Sequence, residues 1–287
     1  MNYQKYKFTG EGAVDLKDFQ VTKKFKKQEL SKFEVDLEKS KIHLADMQSK
    51  YYADGREGLL VVFQSIDGGG KDSAIRHILS PMNQQGVYVR SFKQPSKEEL
   101  SHDFLWRYSK HIPMRGHIAV FNRSYYEEVL VVKVHELFKS IHIGDDLKQE
   151  STFKRRYKHI KNFEEYLNDC GIKLVKIFLN LSKEEQKRRF LRRIDRPDKN
   201  WKFSSSDLVE RGFWDDYQDA FAAAIQKTGT TNNPWWIVPA DNKPFARAVI
   251  GRILCEALDG SNPSYPVMSD EQKMQLEDNR KKLLECN

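Results

Sequence analysis

The chain has 287 residues, 39% apolar and 31% charged, with a formal net charge of +8. That balance fits a folded protein with a substantial core and argues against a disordered chain, and no apolar run approaches the roughly 18 residues a membrane-spanning helix needs. The first residues, MNYQKYKFTGEGAVDLKDF, lack the apolar centre of a signal peptide, and Cys170, Cys255 and Cys286 show no metal or disulfide spacing, so reduced thiols in a cytoplasmic protein are expected.

Residues 1–26 read as an extended basic arm. From Leu30 the apolar positions Leu30, Phe33, Leu37, Leu44, Met47 and Tyr51 follow helical spacing and predict an amphipathic helix. After Gly55 and Gly58 come five β-rich runs: Leu59–Gln64, Val87–Phe92, Ile118–Asn122, Leu174–Leu179 and Trp235–Pro239. Helical stretches lie between them at 72–80, 98–110, 125–139, 149–169 and 183–195. This alternation predicts an α/β domain over residues 27–260, with a five-stranded, mainly parallel sheet covered on both faces. The basic residues of KRRYKHIK, in the fourth of these helices, are expected to face solvent, because Phe153, Tyr157, Ile160 and Leu167 form one apolar face. The tail, 261–287, is expected to end in a surface helix.

The turn after the first strand, SIDGGGKDS (Ser65–Ser73), nearly matches G-x-x-x-x-G-K-[ST]. Ser65 replaces the first glycine, and Asp72 replaces the metal-binding hydroxyl. The strand–glycine–helix context suits phosphate: Gly68, Gly69 and Gly70 let backbone N–H groups turn inward, the helix start adds positive potential, and Lys71 supplies a point charge. An ordinary glycine-rich turn is the plainer reading, and the context weakens it. Asp67 would repel phosphate unless a cation lay between them, so a role in holding Mg²⁺ is expected, with Mn²⁺ as a substitute. Asp72 is expected to cap the helix rather than bind metal.

The third strand ends in Asn122-Arg123, where phosphate-loop enzymes usually carry a metal-supporting Asp. Asn122 can still offer a neutral oxygen, and the planar fork of Arg123 suits a phosphate clamp; pairing of Arg123 with a local acid is the alternative. Here the chain resembles the polyphosphate kinase 2 family. The resemblance rests on FQSIDGGGKDSAIRH, FKQPSKEELSHDFLWR, AVFNRSYYEEVLVVKVH, FLRRIDRPDKNWKFSSSDL, FWDDYQDAFAAAI and PWWIVPADNK, in family order over about residues 20–260. Asn122 in FNRS resembles the branch often called class III, associated with phosphorylation of both nucleoside mono- and diphosphates. The resemblance implies a three-layer, thymidylate-kinase-like phosphate-loop fold with a helical lid. It also implies Mg²⁺ dependence, inorganic polyphosphate as donor, AMP or ADP (or GMP or GDP) as acceptor, and a homodimer or homotetramer.

Lys183–Lys202 carries nine Lys/Arg against four Asp/Glu, a surplus that points to a polyanionic partner. In it Arg188 and Arg192, and Arg189 and Arg193, form two rows one helical turn apart, beside an apolar stripe of Phe190 and Ile194, with the basic surface continued by Lys199 and Lys202. A solvated charged helix is the plainer reading. The resemblance instead makes 183–207 the lid and assigns these six cations, with Arg76 and Ser73, to phosphate or polyphosphate. It assigns Lys93, Asp103, Tyr126 and Glu127 to the acceptor nucleotide, although helix packing would explain Glu127 equally well. Trp201, Trp235 and Trp236 read as packing residues. Basic grooves for nucleic acid interleave aromatic platforms, so neither a nucleic-acid nor a membrane partner is expected. An ATP-dependent nucleoside monophosphate kinase and a non-enzymatic polyanion-binding or RNA-binding protein are the competing readings.

Overall fold

The computed structural model describes residues 2–20, 24–141, 143–149 and 151–285; Cys286 lies outside them. Along the chain the strands are β1 (Lys7–Phe8), β2 (Gly58–Gln64), β3 (Val87–Ser91), β4 (Ile118–Asn122), β5 (Ile172–Asn180) and β6 (Trp235–Pro239). The helices begin with α1 (Lys27–Asp54), α2 (Lys71–Leu79), α3 (Lys97–Ser101), α4 (Trp106–Ser109), α5 (Val131–Val134) and α6 (Ser151–Asp169). They continue with α7 (Lys183–Ile194), α8 (Ser205–Gly212), α9 (Trp214–Thr228), α10 (Lys243–Asp259) and α11 (Asp270–Glu285).

The sheet order is β1-β6-β5-β2-β4-β3. The five predicted strands are all present and mutually parallel. The sheet has six strands rather than five, because β1 adds to the edge antiparallel to β6. Tyr6, Phe8 and Leu16 are buried, so apolar anchors fix the N-terminal segment that read as an extended basic arm. β2, β5 and β6 are buried almost throughout, as strands covered on both faces must be. α1, α2 and α10 pack together on one side, while α5, α6 and α9 pack together on the other. Gly251 lets α10 approach α1 closely; a Cβ there would lie 3.0 Å from that of Ser40.

Two expected helices are broken. Residues 98–110 form α3 and α4, parted where the Asp103 carboxylate accepts from the Leu105 N–H (2.9 Å), a local bond that competes with the helix ladder. Residues 125–139 form a 3-10 turn, Tyr125–Val129, then α5, then a second 3-10 turn, Leu137–Lys139, with Glu136 in the left-handed region at φ 52°. The four valines 129, 131, 132 and 134 make this a poor helix former. The apolar face predicted for α6 is buried. One of its arginines, Arg156, is also buried and pairs with Glu128 (3.3 Å) instead of facing solvent. Trp235 and Trp236 are core residues, whereas Trp201 is 78% exposed and does not pack as expected. α11 buries no residue, and no described helix is long and apolar enough to cross a membrane.

Candidate active site

β2, the central strand, delivers Ser65 to the glycine turn, and α2 begins at Lys71. Gly70 takes φ 94°, a conformation that favours glycine, and a Cβ on Gly69 would collide with the Ser65 hydroxyl. The Lys71 ammonium is buried and donates to the Ser65 carbonyl (3.0 Å) and hydroxyl (2.9 Å). Burial, with Arg123 adding repulsion, lowers its pKa to about 8. A cation so poorly compensated is well placed to gain from an entering anion.

β4 runs beside β2, pairing Phe63 with Asn122, so its end lies against the glycine turn. Arg123 sits at φ 66°, a strained position for a residue with a side chain. Its N–H is tied to the Phe63 carbonyl (3.1 Å), and its guanidinium donates to Asp67 Oδ1 (3.0 Å). Glu127 faces the same cleft. Burial raises its pKa against the pull of Arg123 and Lys71, and with its amide nitrogen turned toward this carboxylate, Gln64 donates to Glu127 Oε1 at 3.0 Å. The cleft, about 450 Å³ with its open mouth, is bounded by Asp67, Arg123, Glu127, Gln186, Glu210 and Tyr217, among others.

α7 lies directly on the glycine turn. Gln186 donates to the Asp67 carbonyl (2.8 Å), and a Gly68 Cβ would lie 3.1 Å from the Phe190 ring. Arg189 is 7% exposed and donates to the carbonyls of Gly68 (2.9 Å), Gly69 (3.0 Å) and Ala240 (2.5 Å), and to Glu185 (2.8 Å). The expectation that Arg189 binds phosphate is therefore corrected: its donors are committed to backbone and Glu185, and it braces the loop. Arg188 is exposed but pairs with Glu185 (2.6 Å), and Arg193 with Asp207 (3.3 Å). Among the described residues Arg192 has no acid partner. Phe190 is buried, yet Ile194 is 45% exposed, so the predicted apolar stripe ends halfway along the helix.

Two further expectations change, those for Asp72 and Tyr126. Asp72 stands in the first turn of α2 but does not cap it; Gly70 is the N-cap, and Asp72 Oδ1 accepts from Asn122 Nδ2 at 2.6 Å. Tyr126, assigned to the nucleotide, is fully buried, donates to Glu164 (2.7 Å) and accepts from Lys176 (3.2 Å) within the core. Asp103 is exposed and makes the turn between α3 and α4. Lys93 is exposed beyond β3, its carbonyl accepting from Arg107 (3.0 Å). Arg76 and Lys202 are exposed, Lys199 is half-buried, and Ser73 accepts from Arg247 (2.7 Å). Sequence reasoning missed Gln186 as a brace, although it falls one turn before Arg189 and Phe190 on a single helix face.

Among the described residues no three His, Cys, Asp or Glu side chains group as a metal cage. Among the described residues one carboxylate oxygen of Asp67 and the amide oxygen of Asn122 have no hydrogen-bond partner, and both lie beside the glycine turn. Two oxygen donors, with water and substrate phosphates completing the shell, fit a hard divalent ion of the Mg²⁺ kind.

A sequence profile of the family described as polyphosphate kinase 2 matches residues 26–266. The chain belongs to the polyphosphate kinase 2 family. Among family relatives, the ADP-polyphosphate phosphotransferase of Rhodopseudomonas palustris is 46% identical over 244 residues, covering 84% of each chain. The AMP/ADP-polyphosphate phosphotransferase of Meiothermus ruber is 41% identical over 223 residues, covering 78% of this chain and 80% of the relative. The crystal structure of polyphosphate kinase 2 from Arthrobacter aurescens superposes with a TM-score of 0.83 at 34% identity, covering 97% of this chain and 98% of that one. The polyphosphate kinase 2 fold here is thus the expected α/β phosphate-loop architecture, extended by the edge strand.

Proposed function

We propose that this chain transfers the terminal phosphoryl group of inorganic polyphosphate to nucleoside mono- and diphosphates, AMP to ADP and ADP to ATP. The observation that carries the reading is the convergence of Lys71, Arg123 and α7 on one glycine turn, in a chain of this family. The acceptor phosphate is already an anionic nucleophile, so transfer depends on positioning and charge neutralisation rather than on a general base. Lys71 leaves Ser65 for the donor's terminal phosphate. Arg123, held rigid by Phe63 and Asp67, meets the acceptor phosphate at the mouth of the cleft, with Glu127 behind it. Asp67 and Asn122 would hold Mg²⁺, or Mn²⁺ in its place, which would supply positive charge to offset that of the phosphates. Residues 183–207 form the lid, with Arg188 on its fixed base and Arg192, Arg193, Lys199 and Lys202 on its outer part facing polyphosphate when that part closes. Assembly into two or four copies belongs to the same reading, and light scattering counts them.

The test is product analysis with purified protein, Mg²⁺, AMP or ADP, and either polyphosphate or ATP. ADP and ATP should accumulate with polyphosphate. Transfer from ATP to AMP, with none from polyphosphate, would overturn the donor assignment in favour of an ordinary nucleotide kinase.

A further inference from the structure

Three linked side chains at the Arg123 cleft are left unused by the preceding mechanism. Glu210 of α8 lines the cleft with Tyr217 of α9, and His135, just beyond α5, reaches both. Glu210 Oε2 accepts from the Tyr217 hydroxyl (2.7 Å) and lies 2.9 Å from His135 Nε2, which is itself 3.4 Å from that hydroxyl. His135 donates to Glu210 either as the cation or as the tautomer protonated at Nε2. Glu210 does not swing with the outer lid, because its neighbour Arg211 bonds to the Lys183 carbonyl and to Gln186 (2.8 Å each). Its other oxygen, Oε1, has no hydrogen-bond partner among the described residues, and Glu210 joins no group of three metal-ligating side chains among them. A carboxylate clamped by donors from two other elements is a rigid acceptor, and its open oxygen in a cleft selects for a hydrogen-bond donor.

A phosphate chain offers no such donor at neutral pH and is repelled by the carboxylate, so the partner of Glu210 belongs to the nucleoside end of the acceptor. Ribose hydroxyls and base amines are the donors there, and position decides between them. Tyr217 lies close enough to Arg123, which meets the acceptor phosphate, for the two to act on each other electrostatically. The clamp therefore stands near the phosphate end, where the ribose follows. Leu130, Val131, Trp214 and Phe221 give the same cleft an apolar and aromatic wall suited to the base. We propose that Glu210 Oε1 accepts from a ribose hydroxyl of the acceptor, held in place by His135 and Tyr217, and so selects ribonucleotides over deoxyribonucleotides. Ribose hydroxyls are common to adenine and guanine acceptors, whereas the amines of the two bases sit on different ring carbons. The proposal rests on the reading of this cleft as the acceptor site and deepens it.

The experiment compares AMP with 2′-deoxy-AMP and 3′-deoxy-AMP, by KM in the polyphosphate reaction and by calorimetric binding without donor. It uses wild type, Glu210→Ala, His135→Ala and His135→Gln. In wild type one deoxy acceptor should bind about tenfold more weakly than AMP, as loss of a hydrogen bond to a charged group implies. Glu210→Ala should bring that ratio near one by weakening AMP alone, and a ratio is indifferent to any fraction of the variant that fails to fold. His135→Ala should lower the ratio about threefold, as loss of one neutral-strength bond implies. His135→Gln, whose amide keeps a donor at similar reach, should restore it, a pattern that lost stability alone would not produce. Purine riboside 5′-monophosphate, which lacks the amine, should bind as AMP does. Wild type that takes all three acceptors equally, a ratio that survives in Glu210→Ala or is unmoved in His135→Ala, or a Glu210-dependent penalty for the missing amine would overturn the proposal. A Glu210-dependent ribose preference in binding, with no phosphate transferred from polyphosphate, would instead overturn the proposed function and leave this contact standing.

Discussion

Lys71 is held in reserve by its own loop, bonded to Ser65 and, among the described residues, carrying no acid partner within ion-pair distance. Replacing it with Ala removes the charge that meets the transferring group. A loss of about 10²–10³-fold in kcat is expected, read by product formation, while binding of long polyphosphate, spread over many cations, changes little. Near-normal turnover would remove Lys71 from the mechanism. Tyr126 gives the opposite expectation. Its hydroxyl belongs to the buried Glu164–Lys176 pair, whose members are 1% and 0% exposed, so Tyr126→Phe should cost about 1–2 kcal/mol of stability and leave the KM for nucleotide alone. A raised nucleotide KM with an unchanged melting temperature would restore Tyr126 to the acceptor site. Residue types in the glycine turn and at the end of β4 were legible in the sequence because each stands at a fixed distance from a strand end. Tyr126 and Arg189 were not, since a motif gives residue order but not the direction in which a side chain leaves the backbone. Tyr126 adjoins Arg123 and Glu127 in sequence yet turns to the core, and only tertiary packing decides that.

At the level of elements, the glycine turn tolerates no bulk where Ser65 stands in place of the usual glycine. Gly69→Ala should lower stability and kcat together, because the new methyl meets the Ser65 side chain. Adding Ser65→Gly should recover part of the loss, a coupling read by a double-mutant cycle. Additive losses would show that the two side chains do not compete. The strands were easy to find in the sequence because each is a short run rich in β-branched, aromatic and other apolar residues, and Ile118–Asn122 and Trp235–Pro239 match to the residue. α8, α9 and α10 were overlooked, although Ser204 and Asp207 make a capping box before α8 and Asn242 caps α10. β1 gave no signal, since two residues carry no periodicity and pair only because β6 offers a free edge.

For the whole molecule, burial of Lys71 and the partial desolvation of Lys243 among neighbouring arginines set a pH dependence. Both have pKa values near 8 in the fold against about 10.4 for a free lysine. Between these values the unfolded chain holds more protons at these two sites, so they make stability rise with pH until Cys255 and the buried tyrosines, whose pKa values burial raises, pull the other way. Melting temperatures of the ligand-free protein should climb from pH 7.5 to 9.5, and less so in Lys71→Met; a flat profile would mean that neither amine is strained. By contrast, α11 lies apart from the core, and deleting residues 270–287 should move the melting temperature by less than about 2 °C. A larger fall would reveal a contact that α11 makes in an assembly. The bonds of Gln186 and Arg189 to the glycine turn bear on how the molecule can close. They nail the root of α7 to the phosphate loop and to the carbonyl of Ala240, so the helix cannot swing from its base as a door does. Any bending must begin beyond Phe190, and because Arg211 bonds back to the Lys183 carbonyl and to Gln186 (2.8 Å each), the moving part shrinks to a short flap of Leu191–Val209, hinged within a helix whose near half is fixed masonry.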